Sequence, residues 1–110
     1  MAMTQTKLHD PSQLGTSTST LYTVPASTTT ILKQVSLCNT SATARTVQLY
    51  VVPNGGTAGV ANALVYDMTV DAKATVFVNL SSVMETGATL QGQASVASAI
   101  TIHSSGIQET

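Results

Sequence analysis

The sequence TTTILKQVSLCN over residues 28–39 and the sequence RTVQLYVV over residues 45–52 decide the fold class of this chain. Both stretches are rich in β-branched residues and alternate between apolar and polar positions, which is the period of a β-strand. In the second stretch Val47, Leu49 and Val51 are predicted to face inward, because every second side chain of a strand lies on the same face. The two stretches therefore predict strands with one buried face.

The first of these stretches has a less regular pattern. Ile31, Val35 and Leu37 are predicted to point to the core, and Lys33 interrupts the apolar series between them. The side chains of the other face are predicted to be Leu32, Gln34, Ser36 and Cys38. We expect one continuous strand here.

Shorter runs of the same kind lie on both sides of these two stretches and are separated by turn residues. Seven or eight short strands at a spacing of roughly ten residues predict an all-β fold, a single β-sandwich over residues 17–110. The sequence leaves jelly-roll and immunoglobulin-like connections open. Asp71-Ala72 is predicted to form a tight hairpin, and residues 81–85 are predicted to form one helical turn. The further predicted strands cover residues 17–24, 64–70, 73–80, 89–93 and 96–105.

The first sixteen residues differ from the rest of the chain. Residues 1–16 show neither a helical nor a strand period, and Asp10-Pro11 favours a turn or extended backbone. We therefore expect an extended N-terminal arm outside the sandwich. Side chains of this arm and two tyrosines are the candidate contacts with other proteins. These residues are Leu8, His9, Pro11, Leu14, Tyr22 and Tyr50.

The charged fraction is 8%, with a net charge of −1, whereas an average soluble domain has about 25% charged residues. Such a surface suits a protein that is packed against copies of itself or against partners. The alternative is an extracellular domain kept soluble by hydroxyl groups or glycans. Four basic residues cannot line a nucleic-acid site, and no apolar run reaches the ~20 residues that span a bilayer. We expect neither nucleic acid nor a membrane as a partner.

The residues that carry out chemistry are few. The two histidines are His9 and His103, and Ser104 cannot pair with His103 because adjacent strand residues face opposite sides. Cys38 lies within an alternating strand, where a small apolar role is expected. The acidic residues show no spacing for a metal site. We therefore predict that the chain is not an enzyme and has no cofactor or metal.

Four segments carry a resemblance to a known class of proteins. They are LYTVPA at residues 21–26, the Asn39-Thr40 turn, TVQLYV at residues 46–51 and GATLQGQASVASA at residues 87–99. The chain resembles small structural proteins of tailed bacteriophages over residues 20–109. The resemblance implies a virion location and a capsid decoration (cement) protein, bound to the major capsid protein and to its own copies as a homotrimer. A tail, fibre or baseplate module that contacts the host surface is the alternative, followed by an extracellular adhesin-like domain.

Overall fold

The computed structural model describes residues 2–110 and confirms an all-β sandwich of two antiparallel sheets. One short 3-10 turn at Val60–Asn62 interrupts the series of strands. The strands are β1 (Met3–Lys7), β2 (Ser12–Gln13), β3 (Ser19–Thr23), β4 (Thr29–Asn39), β5 (Arg45–Val52), β6 (Ala63–Val70), β7 (Thr75–Met84), β8 (Thr89–Ala94) and β9 (Ile100–Glu109).

The connections of the sandwich are those of a jelly roll. The first sheet has the order β1-β9-β4-β7, with β2 also on β9, and the second has the order β3-β8-β5-β6. If β1 and β2 are counted as one interrupted strand, each sheet has four strands. Every connection then crosses between the sheets except the hairpin from β5 to β6. This topology decides between the two alternatives that the sequence left open.

The prediction that residues 1–16 form an extended arm is wrong for the part that contains β1 and β2. Met3 to Lys7 pair with Glu109 to Ser105, and Ser12 and Gln13 pair with Ile102 and Thr101. Between the two strands, the Leu8 amide donates to the Ser104 carbonyl at 2.9 Å. The N-terminal segment is therefore the first strand of the jelly roll.

A short outward loop explains why no strand period is visible in this segment. Leu8 lies opposite Ser104 and Ser12 lies opposite Ile102, so residues 9–11 oppose the single residue His103. The inserted residues disrupt the alternation between Leu8 and Leu14, although both leucines point into the core. A period-2 pattern is visible only where the strand is uninterrupted.

The predicted orientation of Ile31 toward the core is wrong, because β4 contains a bulge. The register of β4 shifts between Leu32 and Gln34 against both of its neighbours. As a result Leu32 and Val35 are fully buried, while Ile31 is half-buried on the outer face. Lys33 occupies the bulge and is exposed. One extra residue reverses the alternation on one side of a bulge, which the sequence pattern alone does not reveal.

Two predicted local structures are also wrong. The turn at Asp71-Ala72 joins β6 of the second sheet to β7 of the first, so it is not a hairpin. Residues 81–84 continue β7 as a strand and form no helical turn, because their alternating side chains continue the strand period. The chain turns only afterwards, where the Ala88 amide donates to the Glu85 carbonyl at 3.0 Å.

The core lies between the two sheets. The inward residues predicted for β5 are confirmed, since Val47 and Leu49 are buried and Val51 packs against the core. The strands of both sheets and the N-terminal segment contribute side chains to this core. The largest fully buried side chains are Leu14, Leu32, Leu37, Leu49, Met84, Leu90, Ile100, Ile102, Val35, Val47, Val52 and Val70.

Gly106 is required where β9 passes the bulge of β4. A Cβ atom at this position would lie 2.3 Å from the backbone oxygen of Ile31, which cannot move without disturbing the β4–β9 ladder. We expect Gly106→Ala to lower the free energy of unfolding by about 3 kcal/mol, at the upper end of overpacking effects. Urea denaturation followed by far-UV circular dichroism measures this loss.

Gly92→Ala is the matched control for this substitution. The nearest atom to a Cβ at Gly92 is the Leu49 Cδ2 at 2.8 Å, the far end of a side chain that can change rotamer. We expect Gly92→Ala to lower the free energy of unfolding less than Gly106→Ala does. If Gly92→Ala destabilises as much as Gly106→Ala, the close approach to the Ile31 carbonyl is not the cause.

Candidate interaction surface

The described residues bring together no metal-binding or catalytic group. No cluster of three or more His, Cys, Asp or Glu side chains occurs within residues 2–110. Cys38 is a free, half-buried cysteine on the outer face of β4. No helix in this part of the chain is long and apolar enough to cross a membrane.

One histidine contacts a serine, but this contact joins structural elements. The His9 Nε2 lies 2.8 Å from the Ser104 Oγ, and the His9 Nδ1 lies 2.8 Å from the Asp10 carbonyl oxygen. Ser104 is buried, so no substrate reaches its hydroxyl group. The Asp10 carboxylate instead accepts from the Lys7 Nζ at 2.8 Å, and this contact holds the pKa of Asp10 below its usual value. No pattern in the sequence predicts the His9–Ser104 pair, which ties the outward loop to β9.

Two of the six predicted contact residues are core residues of this chain. Leu8 and Leu14 are buried between the sheets, because β1 and β2 pair with β9. Their side chains are therefore not free to cover a partner. Pro11 is exposed and His9 is half-buried in the outward loop.

The two predicted tyrosines are also buried within the chain. The Tyr22 hydroxyl group lies 2.7 Å from the Thr30 Oγ1 and accepts from the Gln108 Nε2 at 2.7 Å. The Tyr50 hydroxyl group donates to the Gln48 Oε1 at 2.5 Å, and burial raises the pKa of Tyr50 above its ordinary value. Both phenols have partners inside the fold, so the six predicted contacts do not form one surface.

The outer face of the second sheet is covered by polar side chains that bond to one another. The Gln48 Nε2 donates to the Asp67 Oδ1 at 2.7 Å, and the Thr18 hydroxyl group donates to the Gln93 Oε1. The Gln91 Nε2 donates to the Thr89 Oγ1 at 2.9 Å. This face therefore has few apolar groups to bury and many polar groups that are already satisfied.

The outer face of the first sheet is more apolar. Ile31 pairs with Val83 on one side and with Ile107 on the other, which places three β-branched side chains in one line across β9, β4 and β7. We call Ile107, Ile31 and Val83 the apolar row. Val83 is 58% exposed, as is Phe77 farther along β7, where it lies opposite Ser36. Large exposed apolar side chains in one region of a surface mark contact sites.

A surface depression lies beside the apolar row. It has a volume of about 410 Å³ and is lined by Gln5, Thr6, Lys33, Ser105, Gly106 and Ile107. It lies where small residues of β9 leave a trough between β1 and β4. The trough is open and holds one charged side chain, so its shape suits a protruding segment of another protein better than a small molecule. We take the outer face of the first sheet as the candidate interaction surface.

No family model and no curated protein matches this chain. Its fold is similar to that of a chain in the structure of infectious bursal disease virus Gx strain. The TM-score is 0.55 at 16% identity, over 97% of this chain and 31% of that chain. A chain of the Gt strain gives a TM-score of 0.50 at 14% identity, over 97% of this chain and 30% of that chain. The chain thus spans less than a third of either viral chain, and the likeness is one of fold.

Proposed function

We propose that this chain is a structural protein of a virus particle and that it decorates the head of a tailed phage, where it bridges subunits of the major capsid protein. The observation that carries the proposal is the apolar outer face of the first sheet in a chain with only 8% charged residues. The fold shared with chains of a virus structure supports a role in a virion. The resemblance to tailed-phage proteins supports the narrower role.

In this proposal the outer face of the first sheet contacts the capsid, and an N-terminal arm does not. Because β1 and β2 belong to the first sheet, the N-terminal segment is not free to clasp a neighbour. The apolar row and the trough beside it provide a surface that a capsid subunit can cover. The resemblance to tailed-phage proteins also implies self-association as a homotrimer. The proposed location is the capsid surface.

A substitution in the apolar row tests the capsid contact. Ile31→Lys places a charge in the middle of the apolar row. The binding partner in this test is phage heads that lack this protein. We expect the substitution to raise the dissociation constant for these heads at least about tenfold. Gln91→Lys, on the outer face of the second sheet, is the matched control and should bind like the native chain. Co-sedimentation of each purified variant with such heads measures the two binding affinities. Equal binding by the two variants would refute the assignment of this face.

Immunogold labelling of intact virions tests the location. An antibody against the chain is expected to label heads. Label on the tail alone, or label absent from purified particles, contradicts a decoration role regardless of which face makes the contact.

A tail, fibre or baseplate module that contacts the host surface is the second candidate. It is favoured by a depression of about 190 Å³ on the second sheet, whose lining includes Gln48, Asp67 and Gln93. The adjacent Tyr66 is 54% exposed. Amide, carboxylate and aromatic groups in this proximity are suited to sugars. Tail labelling together with binding to a glycan array would favour this function over the first.

A further inference from the structure

Three of the four sheet edges are protected against pairing with another strand. The β1/β2 edge is divided by the outward loop and contains Lys7. The edge strand β3 is short and irregular between Thr20 and Tyr22. In β6 the register shifts twice against β5, and Asp67 has a positive φ of 53°. Breaks, bulges and charges of this kind prevent edge-to-edge association.

The fourth edge, β7, is the least protected, because its pairing with β4 has one register shift, with Leu80 and Ser81 opposite the single residue Lys33, and the strand itself is unbroken. Its ten residues, TVFVNLSSVM, include no charge and no Pro. They alternate between exposed and half-buried positions from Thr75 to Val83, even though β4 is bulged beside them. Phe77 and Val83 are each 58% exposed on this strand. A long, regular and uncharged edge is a template for a further strand.

The free backbone groups of β7 belong to its outward-facing residues. The Asn39 amide donates to the Ala74 carbonyl at 2.9 Å, which directs the polar groups of residue 74 to β4. Because these groups alternate along a strand, residues 76 and 78 also bond to β4. Residues 77, 79, 81 and 83 then present their N–H and C=O groups to the open edge.

We propose that two copies of this chain associate by antiparallel pairing of β7 with β7, with Leu80 on the two-fold axis. In this register Phe77 lies opposite the second copy's Val83, and Asn79 lies opposite the second copy's Ser81. Among the outward-facing residues each apolar side chain meets an apolar one and each polar side chain meets a polar one, whereas on the inner face Val78 meets the second copy's Ser82. β7 itself has no charged side chain, whereas Lys33 of β4 reaches the edge, where its Nζ donates to the Ser81 hydroxyl group at 2.8 Å. A two-fold contact requires this kind of self-complementarity.

The pairing also extends the apolar row. In one chain Phe77 is separated from the row, because its neighbour on β4 is Ser36. In the pair, the second copy's Phe77 follows Val83, so Ile107, Ile31, Val83 and that Phe77 form one line across both chains. The contact therefore gathers apolar groups that a single copy leaves apart. It concerns the isolated chain and does not rest on the proposed virion role.

Cysteine cross-linking tests both the pairing and its register. In a Cys38→Ser background, a mixture of the single variants Phe77→Cys and Val83→Cys is expected to form a disulfide-linked dimer under mild oxidation. Opposed residues of such a pair have Cα atoms about 5.5 Å apart, within disulfide range. Each variant alone should stay unlinked, because its two cysteines would be about 20 Å apart along the strands. Preferential linking of Phe77→Cys with Ser81→Cys overturns the register, and no linking in any mixture overturns the pairing.

Analytical ultracentrifugation tests the energetic role of the edge. Phe77→Lys removes both Phe77–Val83 pairs of the two-fold contact and brings two positive charges to it, so the dissociation constant should rise at least about tenfold. Tyr66→Lys is the matched control, because Tyr66 is a similarly exposed aromatic residue, on the edge strand of the other sheet. A native chain that sediments as a monomer at all concentrations, or an oligomer that Phe77→Lys leaves unchanged, overturns the proposal.

Discussion

Deletion of residues 1–14 is expected to abolish the cooperative unfolding transition of this domain. The deletion removes both β1 and β2 from the edge of β9 and takes Leu8 and Leu14 out of the core. Truncation of a buried leucine to alanine alone costs about 2–5 kcal/mol. Two such losses together approach the whole stability of a small domain, about 5–15 kcal/mol, before the lost strand pairing is considered. Calorimetry and thermal scans of far-UV circular dichroism measure the transition.

A peptide of residues 1–16 added to the truncated chain provides a positive control. The open edge of β9 should accept the missing strand and recover the transition, since the remaining seven strands retain their partners. Pro11→Ala in the full chain alters an exposed residue of the same segment and should leave the melting temperature nearly unchanged. Cooperative melting of the truncated chain within a few degrees of the full chain would instead show that the segment is dispensable.

The sequence predicted best those strands whose alternation is uninterrupted. In β5 the inward set of Val47, Leu49 and Val51 follows directly from the period of two, and the structure places all three against the core. The sandwich architecture and the strands β3 to β9 follow from the same regularity, whereas β1 and β2 do not. In such strands the local pattern and the tertiary burial agree, so a single sequence is sufficient.

The features that the sequence did not reveal depend on inserted residues or on distant partners. Leu8 and Leu14 share the core, but the outward loop between them removes the period that would identify a strand. The bulge at Lys33 exchanges the roles of Ile31 and Leu32. Asp71-Ala72 resembles a hairpin locally, whereas the strands on either side have partners far away in the sequence.

The candidate surface was missed for a related reason. The alternation of residues 28–39 predicts Ile31 in the core, and no pattern indicates that Ile107 and Phe77 lie on an outer face, because exposure depends on which face of the sheet is covered. The absence of charges from residues 75–84 is nevertheless visible in the sequence, and it becomes informative once β7 is known to be an edge strand.

Asn39 joins the two sheets through a buried amide. Its side chain is fully buried, and its Nδ2 donates to the Val70 carbonyl at 3.0 Å and to the Thr43 carbonyl at 2.9 Å. Its Oδ1 accepts from the Ser41 amide at 2.9 Å and from the Ser41 hydroxyl group at 2.7 Å. Val70 belongs to the second sheet and Asn39 to the first, so one side chain fixes the crossing between β4 and β5.

We expect Asn39→Ala to lower the free energy of unfolding by about 3 kcal/mol or more. The substitution removes the donor to the Val70 carbonyl and the acceptor of the half-buried Ser41 amide, at about 1–3 kcal/mol for each unsatisfied group, whereas the exposed Thr43 carbonyl still accepts from the Ser41 hydroxyl group. For a domain of this size the melting temperature should fall by about 12 °C or more. Asn79→Ala is the control, because Asn79 is exposed and forms one side-chain bond, from the Gln34 Nε2. Asn79→Ala should lower the free energy of unfolding by about 0.5 kcal/mol, as other surface substitutions do.

Asn39→Asp separates the role of the amide donor from that of side-chain volume. The aspartate keeps the shape of the asparagine but turns a carboxylate oxygen toward the Val70 and Thr43 carbonyls, so it should destabilise the fold at neutral pH as much as alanine does. Burial raises the pKa of this carboxyl group in the folded state, so the native variant binds more protons than the unfolded chain. Relative to the native chain, the variant should therefore become more stable as the pH falls through that raised pKa toward the unfolded value near 3.9. Equal melting temperatures for Asn39→Asp and the native chain at neutral pH would show that the donated bonds do not stabilise the crossing between the sheets.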